Sequence, residues 1–357
     1  MSLGPQTASL HQDYANKGLT GLANLGNSCY LNSCMQVLSH TYEFNDFLKY
    51  SSYKKKLNNL PDSVILLEWD KLRELMWSAN CTVAPHGFVK SIQKIASIKK
   101  RDIFSSNDQN DVQEFMLFLI DSFHTALSRE VNMEINGQML TETDKLATIC
   151  YTMMKNMYKK EYSELLAIFY GIHISEIISN STHETLSATP EPFSVLSLSL
   201  PTKANGEKIT LYDCFDLYCE PEHLSESNGN AWFNSTTGKS EDSQRRISFW
   251  SLPTILIIDL KRWNGHTKKN HNIIDIPLNK ADFSKYVKGY NADSYVYDLY
   301  GVCNHSGGAQ GGHYTSHIRN ANGKWYHFND TLINELNEYQ VISPQSYCLF
   351  YRRQFSK

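Results

Sequence analysis

Apolar residues in the first half of the chain recur at helical spacing. Ile65, Trp69, Leu72 and Met76 step by four, three and four, and Phe88, Ile92 and Ile95 repeat the rhythm after Pro85. Val112, Phe115, Leu119 and Phe123 carry it further, so this half is predicted to be helical with each stripe turned toward a core. From about Pro192 the texture changes. Apolar and β-branched runs such as FSVLSLSLP, LPTILIIDL, SYVYDLYGV, HYTSHI, KWYHF and YCLFYRR are separated by Gly, Asn and Pro, which is the pattern of strands and turns. Helices first and strands later predict an α+β architecture. Residues 1–17 are polar and unpatterned and are expected to form a flexible segment ahead of one domain over 18–357. The Ser, Asn and Gly-rich stretch from Ser225 to Ser243 is expected to protrude as a loop.

Composition narrows the classes open to such a chain. A length of 357 residues suits one elaborated enzyme domain, and 41% hydrophobic with 20% charged residues is ordinary for a globular protein. No run of eighteen apolar residues is present to span a bilayer, and the N-terminus lacks an apolar stretch of signal-peptide length, so a cytosolic or nuclear monomer is expected. A formal net charge of -3, with only short lysine runs, gives no bulk reason to bind nucleic acid. Eight cysteines are scattered without a CxxC pair, which argues against both a disulfide framework and a zinc finger.

Two segments carry candidate chemistry. In GLANLGNSCYLNSCMQVLSH, glycines and asparagines lead into Cys29, after which a helix is expected. A thiol in the first turn of a helix feels the positive end of its dipole, which favours the thiolate. Cys34 lies deeper in the same helix. Gly21 and Gly26 would permit close backbone approach, and the amide of Asn24 is a candidate donor to a developing oxyanion. A free cysteine is more often a small buried residue than a nucleophile, so a partner base decides the matter. HSGGAQGGHYTSHIRNANGKWYHFND supplies one: His313 opens a strand after a glycine-rich loop. Strands through Tyr314–Ile318 and Lys324–Phe328, folding back at Asn320–Gly323, would bring Asn329 beside His313 to orient its imidazole.

With these residues in view, the chain resembles the ubiquitin-specific protease family of deubiquitinating enzymes. GLANLGNSCYLNS is similar to the family's cysteine box, DQNDVQEFM to its Gln-x-Asp-x-x-Glu-Phe segment, and LPTILIIDLKRW to its Leu-Lys-Arg strand. GVCNHSGGAQGGHYTSHI, KWYHFND and SYCLFYRR are similar to its histidine box and final strands, all in family order from Gly18 to Arg353. The resemblance implies a papain-like cysteine protease fold with a helical thumb, a sheet-rich palm and a fingers subdomain inserted at roughly 170–250. It implies Cys29 as nucleophile, His313 as base, Asn329 as third member with Asp330 as the fallback, and Asn24 as oxyanion donor. The implied reaction is hydrolysis of the isopeptide or peptide bond after the C-terminal Gly of ubiquitin, with no cofactor and with ubiquitinated proteins as partners. Gln109 and Asp111 would line the channel for the ubiquitin tail, Gln109 on tail backbone and Asp111 on a tail arginine. Gly312 and Tyr314, flanking His313, are further candidate substrate contacts.

Two departures from the family pattern stand out. Many relatives close the fingers with two CxxC pairs on zinc, whereas Asn234 and Thr237 occupy the positions of the second pair. An amide and hydroxyl set is no tetrahedral zinc site, so metal-free fingers are expected. Asp259 and Trp263 stand where His and Phe are common, which bears on substrate choice. Two other functions remain in view. One is a ubiquitin-binding scaffold that has lost its chemistry, against which every catalytic position is filled. The other is a protease for a ubiquitin-like modifier with a similar Gly-Gly tail.

Overall fold

The computed structural model describes residues 11–203, 207–235, 237–265, 268–308 and 311–354. The helical half comprises α1 (Cys29–Ser39), α2 (Tyr42–Lys49), α3 (Asp62–Ser78), α4 (His86–Ile98), α5 (Val112–Leu127), α6 (Glu142–Tyr158) and α7 (Leu165–Phe169). The helical stripes read in the sequence account for the packing. Ile65, Trp69, Leu72 and Met76 of α3 meet Phe88, Ile92 and Ile95 of α4 and Val112, Phe115, Leu119 and Phe123 of α5 in one buried cluster. Asp111 caps α5, its Oδ1 accepting from the Gln113 N–H at 2.7 Å.

The palm is one large sheet. Its strands run, edge to edge, Leu332–Leu336, Trp325–Asn329, Gly311–Arg319, Val296–Gly308, Ser346–Arg353, Ile255–Lys261 and Val195–Ser199, with Ala281–Asp282 also paired to Val296–Gly308. Neighbours are antiparallel except Ile255–Lys261 with Val195–Ser199. Strand alternation divides the interior in two. Ile255 and Ile257 face the helical half, whereas Leu256, Ile258 and Leu260 belong to a second cluster against α8 (Leu211–Cys219). Helix α1 sits at the seam, buried along its whole length. The hairpin turn expected at Asn320–Gly323 is formed, with the Gly323 N–H donating to the Asn320 carbonyl at 2.9 Å and Gly323 at φ +84°.

A second sheet, in the order Thr185–Phe193, Gly171–Ser179, Ser243–Ser251, Glu222–Leu224, projects beyond the palm. It starts at Gly171, ahead of the change of texture at Pro192, and Pro190 and Pro192 lie in its edge strand, which can spare the missing donors. The Ser225–Ser243 stretch is not a plain loop. Trp232–Asn234 pairs antiparallel with Lys239–Glu241, and Ser225 caps a short 3-10 turn. Helix α8 also falls inside the strand-rich half, set by a capping box between Thr210 and Asp213.

At the N-terminus, residues 1–10 lie outside the described part, but 11–17 are anchored, which corrects the expected start of order at residue 18. Tyr14 stacks on Tyr42 at 4.5 Å, its hydroxyl donates to Asp46 at 2.6 Å, and the Asn16 N–H donates to Asn320 Oδ1 at 3.0 Å. Among the described residues no helix is long and apolar enough to cross a membrane. All eight cysteines are free, six of them buried.

Candidate active site

The loop before α1 is built around the side chain of Asn24. Its Oδ1 accepts from the Gly26 N–H at 3.0 Å and the Ser28 N–H at 3.2 Å, so one side chain shapes the turn that delivers Cys29. Gly26, at φ +95°, opens onto free space. Gly21 serves a different purpose from the substrate approach expected of it. A Cβ there would lie 2.5 Å from the Thr331 carbonyl oxygen, so its bare backbone lets the palm close against this loop.

Cys29 opens α1 and is buried. Burial pushes its thiol up, with the Asp330 charge adding to this, while the backbone N–H groups of Tyr314, Tyr30 and Cys29 act in the other direction. The helix N-terminus therefore does not by itself yield the lowered thiol expected from the sequence, because removal from water outweighs it. Cys34, fully buried and bonded to the Val112 carbonyl at 3.5 Å, is pushed well above its usual value, again chiefly by burial.

His313 lies near the start of the Gly311–Arg319 strand, across the hairpin from Asn329. Its Nε2 stands 2.7 Å from Asn329 Oδ1. A carbonyl oxygen only accepts, so Nε2 carries the proton and Nδ1 keeps a lone pair for general-base work. Among the described residues no hydrogen bond joins Cys29 Sγ to His313; the two are brought near through Tyr314, next in chain to His313, whose N–H acts on the thiol.

Asp330 is not on the imidazole. Its Oδ2 accepts from Asn24 Nδ2 at 3.0 Å and its Oδ1 from Asn32 Nδ2, on α1, at 2.7 Å. The turn that aims it away from His313 puts Asp330 at φ +50°. Asparagine at 24 thus donates to Asp330 with one amide proton and has a second to offer.

Of the four candidate substrate residues, Gln109 and Gly312 are tied to each other. Gln109 Oε1 accepts from the Gly312 N–H at 3.0 Å and its Nε2 donates to the Gly312 carbonyl at 3.3 Å, so the amide expected on tail backbone here grips the loop before His313. Both oxygens of Asp111 have internal donors, the Gln113 N–H and the Tyr347 hydroxyl, the latter at 2.6 Å. Tyr314 has a buried ring, 4.6 Å from that of His305.

Sequence reasoning noted Asp259 only as a departure from the family pattern and passed over other neighbours. Asp259 is buried on the face of its strand that looks toward α5, has an unpartnered Oδ1, and is pushed up to about 7 by burial and then by Asp111. Arg262 is fully buried and fastens the palm's lower loop by donating to the carbonyls of Ser346, Asn270 and Asn272. Lys269 and His305, which the sequence does not single out, are packed together behind Gly312. Their signal was three-dimensional, since 36 residues separate them. Among the described residues no group of three or more His, Cys, Asp and Glu is placed to hold a metal ion.

Comparison with known proteins gives consistent results. The family model described as ubiquitin carboxyl-terminal hydrolase matches residues 20–351. Ubiquitin carboxyl-terminal hydrolase Usp2 of Drosophila melanogaster is 32% identical over 356 residues, covering 98% of this chain and 36% of that protein. Ubiquitin carboxyl-terminal hydrolase 2 of Homo sapiens is 30% identical over 351 residues, covering 94% of this chain and 55% of that protein. The chain thus spans roughly a third to just over half the length of these curated relatives. The fold is similar to a chain of the SAGA Ubp8/Sgf11/Sus1/Sgf73 DUB module bound to ubiquitin aldehyde, at a TM-score of 0.71 and 21% identity, covering 96% of this chain and 71% of that one.

Proposed function

The chain belongs to the ubiquitin carboxyl-terminal hydrolase family, and from that premise we propose that it is a thiol-dependent deubiquitinating hydrolase working through Cys29, His313 and Asn329. The observation that carries the proposal is the 2.7 Å contact of His313 Nε2 with Asn329 Oδ1, which leaves Nδ1 as the base on a strand whose next N–H acts on the Cys29 thiol.

In this reading a ubiquitin tail enters between α5 and the palm and presents the carbonyl of its terminal glycine to Cys29. His313 Nδ1 takes the thiol proton as sulfur attacks, forming a tetrahedral oxyanion. Asn24, held in place by Asp330 and by its own turn, offers its second amide proton to that oxygen. Collapse expels the lysine or α-amine leaving group with the proton from His313, and an acyl-enzyme remains. Water, deprotonated by the same nitrogen, attacks the thioester carbonyl; the C–S bond breaks, ubiquitin leaves with a free C-terminal carboxyl group, and the proton returns from His313 to the Cys29 sulfur. With burial pushing the resting thiol up, in this reading the proton passes to His313 as sulfur attacks. The free thiol suits a reducing cytosol or nucleus.

The scaffold reading requires an idle base, and His313 is oriented for use. A ubiquitin-like modifier remains the second reading, motivated by Asp259 beside the tail channel in place of the common His. The test is incubation with ubiquitin and with modifier probes carrying a C-terminal electrophile, followed by mass mapping. Adduct on Cys29 from the ubiquitin probe, absent in Cys29→Ala, is the expected result. Labelling by a modifier probe alone would overturn the substrate, and no Cys29 adduct would overturn the enzyme.

A further inference from the structure

Lysine is among the side chains least often buried without an acidic partner, yet Lys269 is only 9% exposed. Among the described residues no carboxylate is bonded to it. Its Nζ donates to His305 Nδ1 at 2.7 Å and to the His305 carbonyl at 2.6 Å, and the ammonium lies over the rings of Trp263 and Tyr347 at 5.7 and 5.8 Å. Burial, and after it the Arg262 charge, push Lys269 down to about 8, against a smaller opposing pull from Asp111. A residue held at such cost calls for a purpose, and its partner supplies one.

Because Nδ1 accepts from lysine, His305 is neutral with its proton on Nε2. Burial and the lysine charge agree, pushing His305 down to about 4. The imidazole so fixed is flush against the strand that carries the base. A Cβ on Gly312 would lie 2.2 Å from His305 Nε2, so the ring rests on the bare Cα of the residue before His313. On its other side it packs on Tyr314 at 4.6 Å, the residue after His313, and His305 and Tyr314 are direct partners across the two strands.

We propose that Lys269 is a positioning residue for the reaction: by bonding to both His305 Nδ1 and the His305 carbonyl, it clamps the ring against Gly312 and Tyr314 and so fixes His313 and the Tyr314 N–H relative to Cys29. Backbone on both sides of the base is then held from behind, with no contact between Lys269 and the reacting atoms. This rests on the assignment of Cys29 and His313 above.

The test compares the full chain with Lys269→Met, which keeps the buried stem without donors, and Lys269→Arg, which keeps donors and charge. Wild type and Cys29→Ala, run beside them on a ubiquitin fluorogenic substrate, report separately on the assignment of the nucleophile. The expected result for Lys269→Met is a fall of about tenfold in kcat with KM within twofold of wild type. Iodoacetamide should alkylate Cys29 several-fold more slowly in the same variant, a readout that needs no ubiquitin. Lys269→Arg should recover most of both. Unchanged kcat and alkylation rate in a folded Lys269→Met overturn the proposal, as does a loss confined to KM, which would make Lys269 a substrate contact. Should Lys269→Met fail to fold, His305→Phe decides. It keeps a ring on Gly312 and Tyr314 without the lysine bond, and wild-type kcat there overturns the clamp.

Discussion

Asp330 accepts a hydrogen bond from Asn24 at 3.0 Å, while its chain neighbour Asn329 accepts one from His313 at 2.7 Å. Two consecutive side chains at the end of one strand therefore address opposite halves of the site, one holding the proposed oxyanion donor Asn24 and the other the proposed base His313. Their loss should be distinguishable. Asn329→Ala frees the imidazole to turn and is expected to lower kcat by about 10- to 100-fold, less than His313→Ala, which removes proton transfer altogether. Asp330→Ala should instead reproduce Asn24→Ala, each about 100-fold down, with the double variant little worse than either. Fully additive losses for Asn24 and Asp330 would show that the carboxylate does not act through the amide.

Protonation of buried histidines should set the acid stability of the fold. His40 is fully buried against Trp77 and Phe328, bonds the Gln36 carbonyl through Nδ1 at 2.9 Å, and is pushed by burial from 6.5 to about 4. His317 is lowered to about 4 for the same leading reason. A depressed histidine binds its proton more readily in the unfolded chain, so stability present at neutral pH is lost as pH falls from 6.5 toward 4. Each group accounts for up to roughly 3 kcal/mol over that window. Urea midpoints measured at pH 7 and pH 5 should drop accordingly, and His40→Gln should flatten the dependence. Equal midpoints at the two pH values would contradict the assignment.

The legible parts of the molecule were those written in local pattern. Ile65, Trp69, Leu72 and Met76 announced α3 because a buried face imposes its period, and the turn at Asn320–Gly323 followed from its own residue types, bringing Asn329 to His313. The turn that sets Cys29 at the start of α1 was legible in the glycines and asparagines before it. What stayed hidden depends on which distant surface a side chain meets. Nothing in KKNHN distinguishes Lys269, which is buried on His305, from Lys268, which is exposed. Nor could Asp259 be recognised as a buried carboxyl in a strand whose every other interior position is apolar. The anchoring of Tyr14 on Tyr42 and of Asn16 on Asn320 likewise requires the hairpin to exist first.

Asp111 has two candidate duties that separate cleanly by substitution. As the cap of α5 and the acceptor for Tyr347 it supports the fold; as a carboxylate at the tail channel it would attract a tail arginine. Asp111→Ala removes both and should cost about 1 kcal/mol of stability from the cap alone. Asp111→Asn keeps an oxygen for the Gln113 N–H and loses the charge. If the charge reads the tail, Asp111→Asn should raise KM for a ubiquitin substrate several-fold at nearly unchanged melting temperature, with a short Gly-Gly peptide lacking arginine unaffected. Equal effects on both substrates would assign the residue to the fold only.

The fingers should stand without zinc. Their tip is held by hydrogen bonds centred on Glu241, whose Oε1 accepts from Asn234 Nδ2 at 2.8 Å and Thr237 Oγ1 at 3.1 Å, while the Thr237 N–H donates to Asn234 Oδ1 at 3.3 Å. The family resemblance places Asn234 and Thr237 where many relatives carry a cysteine pair, and in this chain a polar cluster stands there. A hydrogen bond contributes about 1 kcal/mol where a structural zinc contributes about 10 or more, so this tip should open far more easily than a metal-bound one. Purified protein is expected to contain well under one zinc per chain and to keep its activity and melting temperature in a strong chelator. Glu241→Ala should speed amide hydrogen exchange across Trp232–Asn234 and Lys239–Glu241 while leaving the palm strands protected. Stoichiometric zinc, or unfolding of the fingers on chelation, would mean that ligands come from elsewhere in the chain and that the Glu241 cluster is not what closes the tip.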